Sequence, residues 1–367
     1  MDALKLAIVG SGKRARETFM PIIRNMKGIV RLGCVMSRSE GNARRLGEAE
    51  GVPWYTSLEK MIEKEKPDLA ILSVARPNHR EPVETLCNLG VNMLVETPLA
   101  ETREDMDAMT AAASRSKSII EVAEQVYRFP SALIMGEILK TGIMGKPNLV
   151  FSHSVGHGYH GIGLIRSLLG FSARPVRVTG FLKTFPVANH IWRAGEPKQD
   201  SENWQHGMIE FDSGQAGIYS FSSLTYGSPL RQDRYKNPYW VYAEKGMAMG
   251  LDVMYLEGED RRVEVKIKRD AKTIEGVEVV QAYEADVKGE SGFPERLIWG
   301  NPLADCAIPE KLTGSALCIL DLVNAIRTGK QPEYGIKNGF IDRSIELALT
   351  ESWTNENKPV MMEQVGI

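Results

Sequence analysis

The chain has 367 residues, enough for two domains of ordinary size. Hydrophobic residues make up 43% and charged residues 25%, a globular balance that excludes wholesale disorder. Lys and Arg total 45 against 47 Asp and Glu, a net charge of −2, which argues against nucleic acid or an anionic membrane as the main partner. No apolar run approaches the ~20 residues of a membrane-spanning helix. The start, MDALKLAIVGSG, has no leader pattern, and Cys34, Cys87, Cys306 and Cys318 lack CxxC or disulfide-framework spacing. These features predict free thiols and a cytoplasmic protein.

The first ~125 residues alternate short apolar runs with amphipathic ones, as βαβ units do. Strands are predicted at Leu4–Val9, Val30–Met36, Leu69–Val74, Asn92–Val95 and Ser118–Val122. Helices are predicted at Arg14–Met26, Gly41–Glu50, Ser57–Lys64, Glu81–Leu89 and Arg103–Ser114. Apolar strands separated by helices imply a parallel sheet covered on both faces. Beyond Tyr127 the pattern changes: helices at Pro130–Lys140 and Ile162–Leu169 flank an extended Asn148–Val155. Alternating strands then dominate to Tyr283, with turns at Asp212-Ser213-Gly214 and Glu244-Lys245-Gly246, and helices Ser315–Thr328 and Gly339–Asn355 close the chain. The fold class expected is α/β: a Rossmann domain over residues 1–126, then an α+β domain over 127–367 with an open, mainly antiparallel sheet.

Residues 6–16, LAIVGSGKRAR, place Gly10, Gly12 and Ala15 in G-x-G-x-x-A spacing between a strand and a helix. Gly10 permits the tight turn, and Gly12 lets the backbone reach a pyrophosphate. Ala15 allows close helix–strand packing, and the helix N-terminus offers N–H groups and a positive dipole end. Ser11 lies within the turn, and Lys13 and Arg14 add charge towards the phosphates. The second strand ends in Met36-Ser37-Arg38-Ser39, without the acidic residue that would bond a ribose 2′-hydroxyl. Ser37 and Arg38 suit a 2′-phosphate, so NADP is expected ahead of NAD.

NMLVETPLA (Asn92–Ala100) resembles the V-x-x-E-K-P-L-A segment of the Gfo/Idh/MocA oxidoreductases, the glucose–fructose oxidoreductase and inositol dehydrogenase family. His79, 17 residues before Glu96, matches a histidine that opens the preceding helix in that family. EQVYRFP (Glu124–Pro130), HGYHGIGLIRSLLG (His157–Gly170), AIRTGKQPEYG and ESWTNENKPV resemble further segments, in order along the chain. The resemblance implies a substrate-binding second domain whose sheet joins subunits into a homodimer or homotetramer. The implied substrate is a small carbohydrate-like molecule: a sugar, cyclitol or related polyol or keto compound. It implies cofactor contacts from Glu96, Gln125 and His79, with Ala75 and Arg76 at the strand end that faces the crevice, and substrate contact from Arg128.

The departures concern the chemistry. Thr97 stands where the family has a lysine that contacts the nicotinamide ribose and the reacting oxygen, and Gly163 where it has an aspartate. Threonine still donates a hydrogen bond but carries no charge. His160 keeps the family histidine's spacing, and its pKa range suits acid–base work near neutrality. His153, His157 and His160 fall within eight residues, with Tyr159 among them. The stretch holds no Asp, Glu or Cys, so no metal is expected. His160, Thr97, Tyr159 and His157 are the candidate catalytic group. His153, Trp192 and Arg193, with Trp204, His206 and Tyr226, are substrate-side candidates. Three readings are open: an NAD(P)-dependent oxidoreductase, an enzyme of the same fold using transient oxidation without net redox change, and a binding or regulatory protein.

Overall fold

The computed structural model describes residues 2–153, 158–191, 197–228, 230, 239–287 and 296–363. The chain divides into two compact units: Met1–Arg128 with Lys272–Val279 and Pro302–Arg343, and Phe129–Ala271 with Val280–Asn301 and Ser344–Ile367.

The first unit opens with β1 (Leu4–Val9), then a π-turn over Ala15–Phe19 that leads into α1 (Met20–Asn25). It continues through β2 (Val30–Met36), α2 (Glu40–Glu50), β3 (Trp54–Tyr55), α3 (Leu58–Glu65) and β4 (Leu69–Leu72). Next come α4 (Arg80–Asn88), β5 (Asn92–Val95), α5 (Arg103–Arg115) and β6 (Ile120–Val122). All neighbours are parallel, in the order β3-β2-β1-β4-β5-β6 of dinucleotide-binding sheets. Every residue of β4 is 0% exposed, as expected where helices cover both faces. The π-turn interrupts the helix expected over Arg14–Met26; Pro21, one residue into α1, has no N–H to continue a regular ladder.

The second unit begins with α6 (Pro130–Lys140), β7 (Pro147–His153) and α7 (Gly158–Leu169). Two long strands follow, β8 (Pro175–Ile191) and β9 (Lys198–Phe211), then β10 (Ala216–Ser222) and α8 (Ser223–Gly227). Five more strands are β11 (Tyr239–Ala243), β12 (Gly246–Met249), β13 (Asp252–Glu257), β14 (Arg261–Ile274) and β15 (Val277–Asp286). The chain ends through β16 (Arg296–Gly300), α9 (Glu310–Thr328), α10 (Ile336–Thr354) and β17 (Val360–Met361). The sheet order is β16-β15-β14-β13-β12-β11-β7-β10-β9-β8-β17, and β7 with β10 is a parallel pair in an otherwise antiparallel ladder.

Glycines bring the helices down onto one face of this sheet. A Cβ on Gly161 of α7 would lie 2.7 Å from the Tyr219 ring, and one on Gly217 of β10 would lie 2.4 Å from Ile165. On the same face, a Cβ on Gly180 would meet the Leu349 carbonyl of α10 at 2.4 Å. The other face carries Phe151, Met208, Ile218, Trp240 and Met249 in one cross-strand row.

α9 belongs to the first unit and packs against β5 and β6. Arg128 is fastened there: its Nη2 donates to Glu121 Oε1 at 2.6 Å, Nε to Asp321 Oδ2 at 2.9 Å, and Nη1 to the Glu124 carbonyl at 3.1 Å. Arg128, expected at the substrate, is only 2% exposed; its guanidinium is committed to locking the strand end to α9. Burial pushes the Glu121 carboxyl up, against the opposing pull of Arg128. Removing the cation leaves a buried carboxyl without its counter-charge, so Arg128→Met is expected to cost about 3–5 kcal/mol in urea unfolding. Adding Glu121→Gln should recover most of that loss. A cost below about 1 kcal/mol, the range of exposed pairs, contradicts the assignment.

Candidate active site

In the first unit the site is built at the C-terminal ends of the strands. Gly10 adopts φ +99° and its N–H donates to the Met36 carbonyl at 2.8 Å, which joins the ends of β1 and β2. A Cβ at Gly10 would lie 2.3 Å from the Ser73 carbonyl, so only glycine lets the turn pass over the end of β4. Ala15 is 0% exposed. Arg16 Nη1 donates to the Ser11 carbonyl at 2.7 Å and clamps the turn, a contact its place in the sequence did not reveal.

A 590 Å³ crevice opens over this turn. Gly10, Ser11 and Gly12 line one side, Ser37 and Arg38 the end of β2, and Ala75 the segment after β4. These predicted cofactor residues are thus brought together. Asn42, Ser57 and Glu59 also line the crevice and were not expected. Ser57 caps α3 by accepting from Lys60 N–H at 3.3 Å, so the positive end of that helix faces the crevice. The Glu59 carboxyl is held below its usual range by its own backbone N–H and by Ser57.

The residues present suit a dinucleotide. Ser73 lines the crevice, and its buried Oγ has no hydrogen-bond partner among the described residues. The Cβ position of Gly12 has open space within 4 Å, so the backbone there can be approached closely. Arg38 is exposed and makes no ion pair among the described residues. Lys13 is exposed and comes only within 3.9 Å of Glu17.

A second cluster forms beyond β1. Arg14 Nε donates to Glu96 Oε1 at 2.5 Å and Nη2 to Gln125 Oε1 at 3.2 Å, while Glu96 Oε2 accepts from Thr97 N–H at 3.0 Å. Arg14, Glu96, Thr97 and Gln125 are therefore one group. His79 and Arg76 stand apart from the crevice lining. His79 is 1% exposed, its ring nitrogens against the carbonyls of Leu99 at 3.0 Å and Val74 at 3.1 Å. It ties the segments after β4 and β5 together. Arg76 pairs with Glu101, whose carbonyl accepts from Arg343 Nη2 at 2.7 Å.

In the second unit, Tyr159 and His160 lie in the first turn of α7, their rings 4.3 Å apart and His160 7% exposed. Gly163, in the same helix, is buried, with no side chain to stand in for an aspartate. His153 ends β7. It pairs in register with Ser220, whose other neighbour is His206, and strand alternation turns all three away from α7. The Phe151 ring lies 5.6 Å from His153 and 6.4 Å from His206. Trp204, opposite Ser222, shares that outer face, so His153, His206 and Trp204 are not on the α7 side. Burial lowers the pKa of both histidines. Tyr226 lies against Phe221, ring centres 5.4 Å apart. His157, Trp192 and Arg193 fall outside the described residues. Among the described residues no group of three His, Cys, Asp or Glu is placed to hold a metal, and no helix is long and apolar enough to cross a membrane.

The strand order and glycine turn define a dinucleotide-binding Rossmann unit. Residues 4–124 match the model of the Gfo/Idh/MocA oxidoreductase family, NAD-binding Rossmann fold. The chain is 30% identical to the YceM protein of Salmonella typhimurium over 122 residues, 33% of this chain and 39% of that protein. It is 28% identical to D-apiose dehydrogenase of Paraburkholderia graminis over 144 residues, 39% of this chain and 38% of that enzyme. The matches thus span about two fifths of these relatives' own length. Across nearly the whole chain the fold is shared with solved structures. Aldose-aldose oxidoreductase from Caulobacter crescentus gives a TM-score of 0.68 at 18% identity, covering 98% of this chain and 100% of that one. Levoglucosan dehydrogenase, solved with NADH and levoglucosan, gives 0.70 at 15% identity, covering 99% and 100%.

Proposed function

We propose that the protein is an NAD(P)-dependent oxidoreductase acting on a sugar, cyclitol or related polyol or keto compound. The observation that supports this best is the crevice over Gly10–Gly12 in a sheet of dinucleotide-binding order, in a segment that matches the model of an oxidoreductase family. A bound nicotinamide supplies or accepts the hydride. Gly12 and the following helical turn hold the diphosphate, and Ser37 with Arg38 hold the adenosine end. The guanidinium of Arg38, without an ion pair among the described residues, favours a 2′-phosphate, hence NADP over NAD. His160 exchanges the proton with the substrate oxygen, with Tyr159 beside it in α7.

A second reading is favoured by one pair of observations. Thr97 and Gly163 remove the charged groups of the family's proton-transfer set, and a 26% identical relative over 171 residues is a 2,7-anhydro-N-acetylneuraminate hydratase from Mediterraneibacter gnavus. In that reading the cofactor returns to its starting state after transient oxidation, and no net redox change accompanies turnover. The free cysteines fit a reducing compartment such as the cytoplasm. The outer face of the second sheet, with Met208 44% and Met249 37% exposed beside Phe151 and Trp240, fits a second copy of this chain.

Three measurements check the proposal. Fluorescence titration of the purified protein should give tighter binding of NADPH than NADH, and Ser37→Asp with Arg38→Leu should reverse the order; equal affinities in the unaltered protein contradict the NADP assignment. His160→Ala should lower turnover by about 10²–10⁴-fold while leaving nucleotide affinity in place; full turnover would sink its acid–base role. Light scattering should report a dimer or tetramer that Met208→Glu breaks, whereas a monomeric native chain contradicts the subunit interface.

A further inference from the structure

The sheet order divides the crevice about β1. Ser37 and Arg38 follow β2 on one side, the half that takes adenosine in sheets of this order. Glu96 follows β5 and Gln125 follows β6 on the other side, the nicotinamide half. Arg14 sits in the turn between the halves, and its side chain reaches to the second: Nε to Glu96, Nη2 to Gln125 and Nη1 to Thr18 Oγ1 at 3.3 Å. Its side chain remains 39% exposed, while that of Glu96 is 10% exposed. The adjoining Thr97 brings no charge.

We propose that the Arg14–Glu96 pair sets the relative affinity of the site for oxidised and reduced nicotinamide, with Arg14 supplying the only full positive charge of the Arg14–Glu96–Thr97–Gln125 group. The inference deepens the dinucleotide reading above and rests on it. An oxidised nicotinamide ring carries a positive charge and the reduced ring is neutral. A lone carboxylate at that end therefore favours the oxidised form, and a lone guanidinium the reduced form. Paired at 2.5 Å, the two charges largely offset each other, so removing either one tips the balance in a known direction.

The test is a ratio of dissociation constants, read on the full chain without any substrate. NADPH is titrated by fluorescence and NADP⁺ by competition; NADH and NAD⁺ are used if they bind more tightly. For Arg14→Met the ratio Kd(NADP⁺)/Kd(NADPH) should fall by roughly tenfold, and for the near-isosteric Glu96→Gln it should rise by about as much. The double variant should return towards the native ratio. A purely structural pair would weaken both nucleotides together and leave the ratio alone. Ratios within about twofold of native in both single variants overturn the inference while leaving the dinucleotide reading standing. Failure of the native chain to bind any of the four nucleotides overturns both.

Discussion

The close pass of the Gly10 turn over the end of β4 is the constraint on which the first unit depends. With a Cβ position 2.3 Å from the Ser73 carbonyl and φ at +99°, the turn accepts no larger residue. That approach brings the ends of β1, β2 and β4 to one level and opens the helical stretch at Ala15 towards the crevice. Arg16 on the Ser11 carbonyl and His79 between the Val74 and Leu99 carbonyls hold the same backbone from outside the crevice. Binding groups are thus presented by backbone whose shape is set elsewhere, which is how a site gains preorganisation.

The ion pairs of this unit separate structure from function. Arg128 is spent on Glu121 and Asp321, Arg76 on Glu101, and Arg14 on Glu96. Arg38 alone of these arginines lines the crevice without an ion pair among the described residues. In the proposed binding mode Arg38 meets phosphate at one end, and the balanced Arg14–Glu96 pair lies at the other, where the ring's own charge changes with its oxidation state.

The β-strands of the first unit were legible because burial on both faces writes apolar runs such as LAIL into the sequence. The glycine spacing located the crevice for the same kind of reason, since a close backbone approach tolerates few residues. The second unit was harder to read. β8 runs to Ile191, well past its hydrophobic part, because residues 182–191 are open on both sides and follow no alternating pattern. His153 was grouped with His160 by sequence distance, whereas period-two alternation at the end of β7 turns it to the opposite face. Arg128 and Arg14 look alike in sequence, as basic residues beside motifs. Their partners, Asp321 and Glu96, lie 193 and 82 residues away.

With no charge at Thr97 or Gly163, weight shifts onto how the cofactor is held. The central claim is that one dinucleotide spans the crevice with its adenosine at Arg38 and its nicotinamide at the Arg14–Glu96 pair. A crystal structure of the protein with NADPH bound tests this most directly. The account predicts the 2′-phosphate on Arg38, the diphosphate over Gly12, and the nicotinamide ring beside Glu96. A nucleotide bound elsewhere, or one whose nicotinamide lies away from Arg14 and Glu96, would contradict it.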